Sequence, residues 1–171
     1  MDTTKPTTAA HDHETLWDLI KDIKFGMLIH RHRDGTLQGH PLTTQNKSID
    51  EGSVLYFFIS NKSGMAGRLR EDGNVNVSYA DTGADNYVSV AGTASFSSNQ
   101  AKKEELFTPL AKAWFPGGVT DPDLALLEVK ITHAEYWNAK DSKVTQLFKM
   151  AKAAITGERP QNMSEHKELN V

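Results

Sequence analysis

Cysteine is absent from the 171 residues, which removes disulfides, thiolate metal sites and cysteine nucleophiles together. No apolar run approaches the roughly 20 residues that a membrane-spanning helix needs, and residues 1–13 are polar, without the hydrophobic stretch of a signal peptide. A soluble, cytoplasmic protein is the expectation. Positive charge is not in excess either. The net charge is −3, and no lysine or arginine cluster suits nucleic acid or an anionic membrane surface, so neither is an expected partner. The Gly-x-Gly-x-x-Gly dinucleotide turn and the Gly-Lys-Ser/Thr phosphate loop are missing, so any nucleotide must be held by another architecture. There is no Gly-x-Ser-x-Gly elbow, and the scattered Ser, His and Asp residues make no recognisable triad.

What is present suffices for one folded domain: 38% of the residues are hydrophobic, and a chain of this length has the size of a single core. Residues 1–13 read as a flexible leader, 14–157 as the domain and 158–171 as a tail. Leu16, Trp17, Ile20 and Ile23 recur at helical spacing. Residues 25–30 and 37–44 read as a hairpin about the turn Arg33-Asp34-Gly35-Thr36. The continuous apolar run 54–59 reads as a buried strand at the barrel centre, and strands follow over 75–79, 87–96, 126–131 and 134–137. Helices are predicted after the polar loop 60–64, over 101–113 with Leu106, Phe107 and Leu110 inward, and over 143–155 with Leu147, Phe148 and Met150 inward. Strands interrupted by short helices predict a mainly β, α+β fold, a small barrel with peripheral helices rather than an alternating parallel sheet.

Two local signals bear on chemistry. Ser60, Asn61, Lys62 and Ser63 precede a helix, where backbone N–H groups, hydroxyls and an ammonium can hold a phosphate. An ordinary helix cap uses the same residues, and the loop itself does not separate the two readings. Trp114-Phe115-Pro116-Gly117-Gly118 can present a flat aromatic surface to a planar ligand or plug a barrel end or dimer interface, and Trp137 has the same ambiguity. His30 with His32, and His11 with His13, lack a third ligand at defined spacing, so no metal site is expected.

The order of segments resembles the general stress protein family of FMN-binding split β-barrels, relatives of pyridoxamine phosphate oxidase. The resemblance runs over residues 14–157. It is carried by Gly39-His40-Pro41-Leu42, Tyr56-Phe57-Phe58, Tyr87-Val88-Ser89-Val90-Ala91-Gly92-Thr93-Ala94, Trp114-Phe115-Pro116-Gly117-Gly118, Asp121-Pro122-Asp123-Leu124 and Glu135-Tyr136-Trp137. It implies a homodimer with two flavin sites, each built from both chains. His40, Pro41, Leu42 and Thr43 would line the flavin ring edge, Ser60, Asn61, Lys62 and Ser63 would address the phosphate, and Trp114 and Trp137 would lie near the ring. The implied cofactor is FMN, with FAD second. The implied activity is an FMN-dependent oxidoreductase drawing on reduced nicotinamide, the alternative being a non-catalytic flavin-binding or structural dimerisation module. No side chain is assigned a catalytic role. Two positions depart from the family: His40-Pro41-Leu42 stands where Arg-Pro-Met is common, and Met65 where a basic residue is common. His40 could supply the missing charge below its ordinary pKa of about 6.5, which predicts tighter flavin binding at mildly acid pH.

Overall fold

A computed structural model describes residues 8–50, 52–139, 143–157, 164–169 and 171. The chain runs α1 (Thr8–Ile20), β1 (Phe25–Arg31), β2 (Leu37–Thr43), β3 (Val54–Ser60), α2 (Gly64–Glu71), β4 (Asn74–Asp81), β5 (Asn86–Ser97), α3 (Gln100–Leu106) and α4 (Pro109–Trp114). A single 3-10 turn (Gly118–Thr120) then leads into β6 (Leu124–Ala139), α5 (Lys143–Thr156) and β7 (Ser164–Leu169). One antiparallel sheet has the order β2-β1-β4-β5-β6-β3, with β7 added to β6. Its two outermost strands meet through a single antiparallel bridge, Thr44 to Phe57, so the sheet curls into a barrel that is split between β2 and β3.

Alternation places one face of each strand in the core. Leu28, Leu55, Phe57, Val77, Val90, Leu127 and Val129 are fully buried there. Leu16 and Ile20 of α1 join them. The β1–β2 hairpin turns as its Asp-Gly pair predicts, with Gly35 at a φ of 87° and the Asp34 carboxylate accepting from the Thr36 N–H at 2.9 Å.

Four sequence readings need correction at the level of elements. The leader read over 1–13 contains the start of α1 at Thr8. His13 is buried, its Nε2 2.5 Å from the Ser53 Oγ, and Asp12, fully buried, pairs with Lys167 at 3.3 Å. Residues 1–7 lie outside the described residues. The tail supplies β7, whose polar composition hid its pairing. β3 is not the barrel centre but one lip of the split: its run is continuously apolar because its outer face is also covered, by Phe107 against Phe58 at 6.0 Å and by the Lys102 ammonium over Tyr56 at 5.5 Å. The helix read over 101–113 is two helices, because Pro109 has no N–H to donate and disfavours helical backbone at Thr108. Thr108 instead caps α4, its hydroxyl accepting from the Ala111 N–H at 3.3 Å.

That break turns Leu110 outward, to 70% exposure. Leu147 and Met150 of α5 are exposed as well, against the inward face predicted for them; the side chain of Phe148 lies outside the described residues. The segments read as 126–131 and 134–137 form one strand, β6, with a bulge where Ala91 pairs with His133 and Gly92 with Ile131. No helix among the described residues is long and apolar enough to cross a membrane.

Candidate functional site

β2 and β3 flank the split, and the bridge that joins them fixes what can face across it. The Thr44 hydroxyl meets the buried Tyr79 hydroxyl at 2.7 Å, and the Gln45 N–H donates to the Tyr56 carbonyl at 2.9 Å. Asn46 accepts from the Tyr56 N–H at 2.7 Å and donates to the Val54 carbonyl at 2.8 Å, riveting the end of β2 to β3. From this closed end the antiparallel direction carries His40, Pro41, Leu42 and Thr43 along one side of the split and Phe58, Ile59 and Ser60 along the other. The two predicted ligand segments, 17 residues apart at their nearest, therefore lie on opposite borders of the same split.

Pairing of Leu28 with His40 and Met27 with Pro41 sets the facing of β2. His40 and Leu42 share the inward face with Leu28 and the buried His30, whereas Pro41 and Thr43 face outward. The His30 and His40 rings stack at 5.2 Å and 15°. Neither Nε2 has a hydrogen-bond partner among the described residues. Burial, and then the neighbouring His30, hold the His40 pKa below the ordinary imidazole value. The cationic role anticipated for His40 at mildly acid pH runs against this, because its surroundings favour the neutral ring.

At the far end of β3 the loop behaves as a helix cap. The Ser63 Oγ accepts from the Ala66 N–H at 3.1 Å and donates to the Ser60 carbonyl at 2.8 Å. An anion already engages the loop: the Asp123 carboxylate accepts from the Ser60 hydroxyl at 2.7 Å and from the Lys62 N–H at 3.0 Å. The Asn61 N–H donates to the Asp123 carbonyl at 2.7 Å, and the Asn61 side chain accepts from Arg70, whose guanidinium lies 4.1 Å over the Phe96 ring. The Ser60 hydrogen bond, followed by those from the loop N–H groups and the charge of Lys62, holds the Asp123 carboxyl below its usual range. In the sequence Asp123 is only part of the motif Asp121-Pro122-Asp123-Leu124; its role needs the 63-residue separation to be closed by the fold.

A phosphate fits what remains. The N–H groups of Gly64 and Met65, first in α2, have no acceptor among the described residues, and Lys62, two residues before Gly64, is exposed. Ser60 fits less well than the sequence implied, since its proton is committed to Asp123. An open cavity of about 470 Å³ next to the loop is bordered by Asn61, Arg70, Phe96, Lys103 and Asp121. Asn61 alone of the ten predicted site residues reaches it.

The two tryptophans are far apart. Trp114 ends α4, is 80% exposed, and precedes the turn that delivers Asp123. Trp137 lies near the other end of β6, its ring stacked on His166 at 4.9 Å and 2°. From Leu124, which pairs with Ser60, to Trp137 is 13 residues of strand, roughly 43 Å of contour at about 3.3 Å per residue. One chain thus brings the β2 segment and the loop together, with Trp114 at the same end, and leaves Trp137 apart.

The model of the family described as pyridoxamine 5'-phosphate oxidase like matches residues 11–161. The chain belongs to that family. Among solved structures, this pyridoxamine 5'-phosphate oxidase-like chain is similar to one described as general stress protein 26 from Jannaschia sp. CCS1, with 25% identity, a TM-score of 0.70, and coverage of 94% of this chain and 97% of that one. It is also similar to the general stress FMN/FAD binding protein of Xanthomonas citri, at 28% identity and a TM-score of 0.65 over 77% of this chain and 92% of that one. The protein bli-3 of Neurospora crassa is 27% identical over 135 residues, 74% of this chain, and the match spans 62% of that relative's length. The family match and these neighbours agree with the split-barrel fold.

Proposed function

We propose that this chain binds FMN as a homodimer, with the phosphate at the N-terminus of α2 and the ring system along the split between β2 and β3. The observation that carries the reading is the placing of His40, Pro41, Leu42 and Thr43 on one border of that split and of Ser60, with Asn61, Lys62 and Ser63 in the loop that follows it, on the other, the two borders being joined at one end by the Thr44–Phe57 bridge and the contacts of Gln45 and Asn46. The Xanthomonas relative, described as binding FMN or FAD, supports the ligand class. FAD is the second candidate. If Trp137 contributes to the same site, it must come from a second chain, given its place on β6. Phe25, Met27 and Leu37, exposed by 63%, 43% and 68% on the outward face of β1 and β2, supply an apolar surface for that contact.

Flavin, when bound, supplies the redox chemistry, accepting a hydride from a donor such as reduced nicotinamide. The chain's own part is to bind and orient. Main-chain groups of β2 border the ring edge, Gly64, Met65 and Lys62 neutralise phosphate, and Asp123 keeps the loop in shape. A second reading, a flavin binder without turnover or a structural dimer, draws on specific positions: Met65 and a neutral His40 replace two expected cations. Losing one charge-assisted hydrogen bond costs about 1.5–3 kcal/mol, roughly 10- to 100-fold in affinity.

The test is the visible spectrum of the protein after incubation with FMN and removal of free ligand. About one flavin retained per chain is expected; no retention under conditions that load the Xanthomonas relative overturns the proposal. Bleaching of the bound flavin by reduced nicotinamide then separates the oxidoreductase from the non-catalytic binder.

A further inference from the structure

The outward face of β6 and β7 carries a donor cluster that the flavin reading does not use. Glu135 of β6 lies directly opposite Glu168 of β7, and like charges in that position repel. Among the described residues neither carboxylate pairs with a lysine or arginine. His133 stands two residues before Glu135 on the same face, placed there by the bulge at Ala91 and Gly92 that turns both Thr132 and His133 outward. One imidazole nitrogen of His133 and one oxygen each of Glu135 and Glu168 all lie within 4.8 Å of one another. Three donors so spaced share a centre about 2.8 Å from each, and side-chain shifts of under about 1 Å would bring them to the 2.0–2.2 Å of zinc coordination. Next to them the His166 Nε2 meets the Glu135 Oε2 at 2.9 Å, the outer imidazole contact that orients a ligating carboxylate.

We propose that His133, Glu135 and Glu168 form a zinc site, with His166 as the positioning residue for Glu135. One imidazole and two carboxylates suit zinc or a similar first-row ion better than calcium or magnesium, which take oxygen donors. Three protein donors leave one tetrahedral position for water. Two of the ligands belong to β6 and one to β7, so the ion would clip the C-terminal strand onto the barrel and relieve the carboxylate repulsion there. The cluster leaves no mark in the sequence, because its donors come from strands that only the fold brings together.

The experiment is calorimetric titration of the full flavin-free chain with zinc chloride, together with thermal melts in zinc and in chelator. One zinc per chain is expected. Glu135→Gln and Glu168→Gln should each weaken binding by more than the about 10- to 100-fold typical of losing an outer partner, and His166→Ala by about that range. In chelator Glu168→Gln should melt no lower than the unaltered chain, because the amide removes the opposing charge, whereas in zinc the order reverses. No zinc uptake by the unaltered chain overturns the proposal, as does uptake that survives both glutamine variants, which would place the ion elsewhere, for example at the stacked His30 and His40. Melting of Glu168→Gln below the unaltered chain in chelator overturns the premise of unrelieved repulsion.

Discussion

Met65 occupies the second position of α2 and packs against the core, so the helix N-terminus is served by Lys62 and two peptide N–H groups. A cation at position 65 would stand on the residue whose own N–H is one of those groups. Met65→Lys is therefore expected to tighten FMN binding by roughly 10- to 100-fold, read by fluorescence quenching of the flavin on titration; an unchanged affinity would mean that the phosphate sits elsewhere. His40 makes the opposite kind of statement. Its folded pKa is depressed by burial and by His30, while in the unfolded chain it takes the ordinary value of about 6.5. As pH falls below that value the unfolded state binds the proton first, so stability declines until the folded ring is protonated too. Melts of the flavin-free protein across this window should show that decline, and His40→Gln should flatten it. An identical slope in both proteins would remove His40 as its source.

At the scale of elements, the bulge in β6 depends on Gly92. A Cβ built there would come within 2.5 Å of the Lys130 carbonyl oxygen and 2.8 Å of a Val129 methyl, and backbone cannot yield as a flexible side chain can. Gly92→Ala is expected to cost about 1–3 kcal/mol, measured as the shift in urea midpoint; a neutral result would show that the two strands separate more easily than their pairing suggests. Most strands were legible because alternation survives wherever one face meets solvent, as in Val75, Val77 and Tyr79. The reading failed where a second cover was invisible in the sequence: β3 appeared central because α3 shields its outer face. It failed again in β7, whose Ser-Glu-His-Lys-Glu-Leu has too little apolar pattern to announce a strand that exists through its pairing with β6. The candidate site divides along the same line. The loop and β2 were visible as local motifs, but Asp123, His30 and Asn46 act through contacts that only the closed barrel makes.

At the scale of the whole molecule, a single chain leaves the outward face of β1 and β2 uncovered and sets Trp137 far along β6 from the loop. The second copy proposed above would answer both features. Phe25→Asp is expected to shift the protein from dimer to monomer in size-exclusion chromatography with light scattering, and to lose retained FMN with it. A dimer that persists would place the contact on another face, with the exposed Leu147 and Met150 of α5 the next surface to alter.

The single bridge between Thr44 and Phe57 has one more effect. An open sheet normally ends in two strands whose bare peptide groups invite a foreign chain to add itself. Curling sets these two borders against one another, with Asn46 pinning one end, so each partly screens its neighbour without completing the ladder. Residues 37–43 of β2 thus face the split without a partner strand on that side, and in the proposed complex a flat ligand lying there would cover peptide groups that otherwise invite a guest strand.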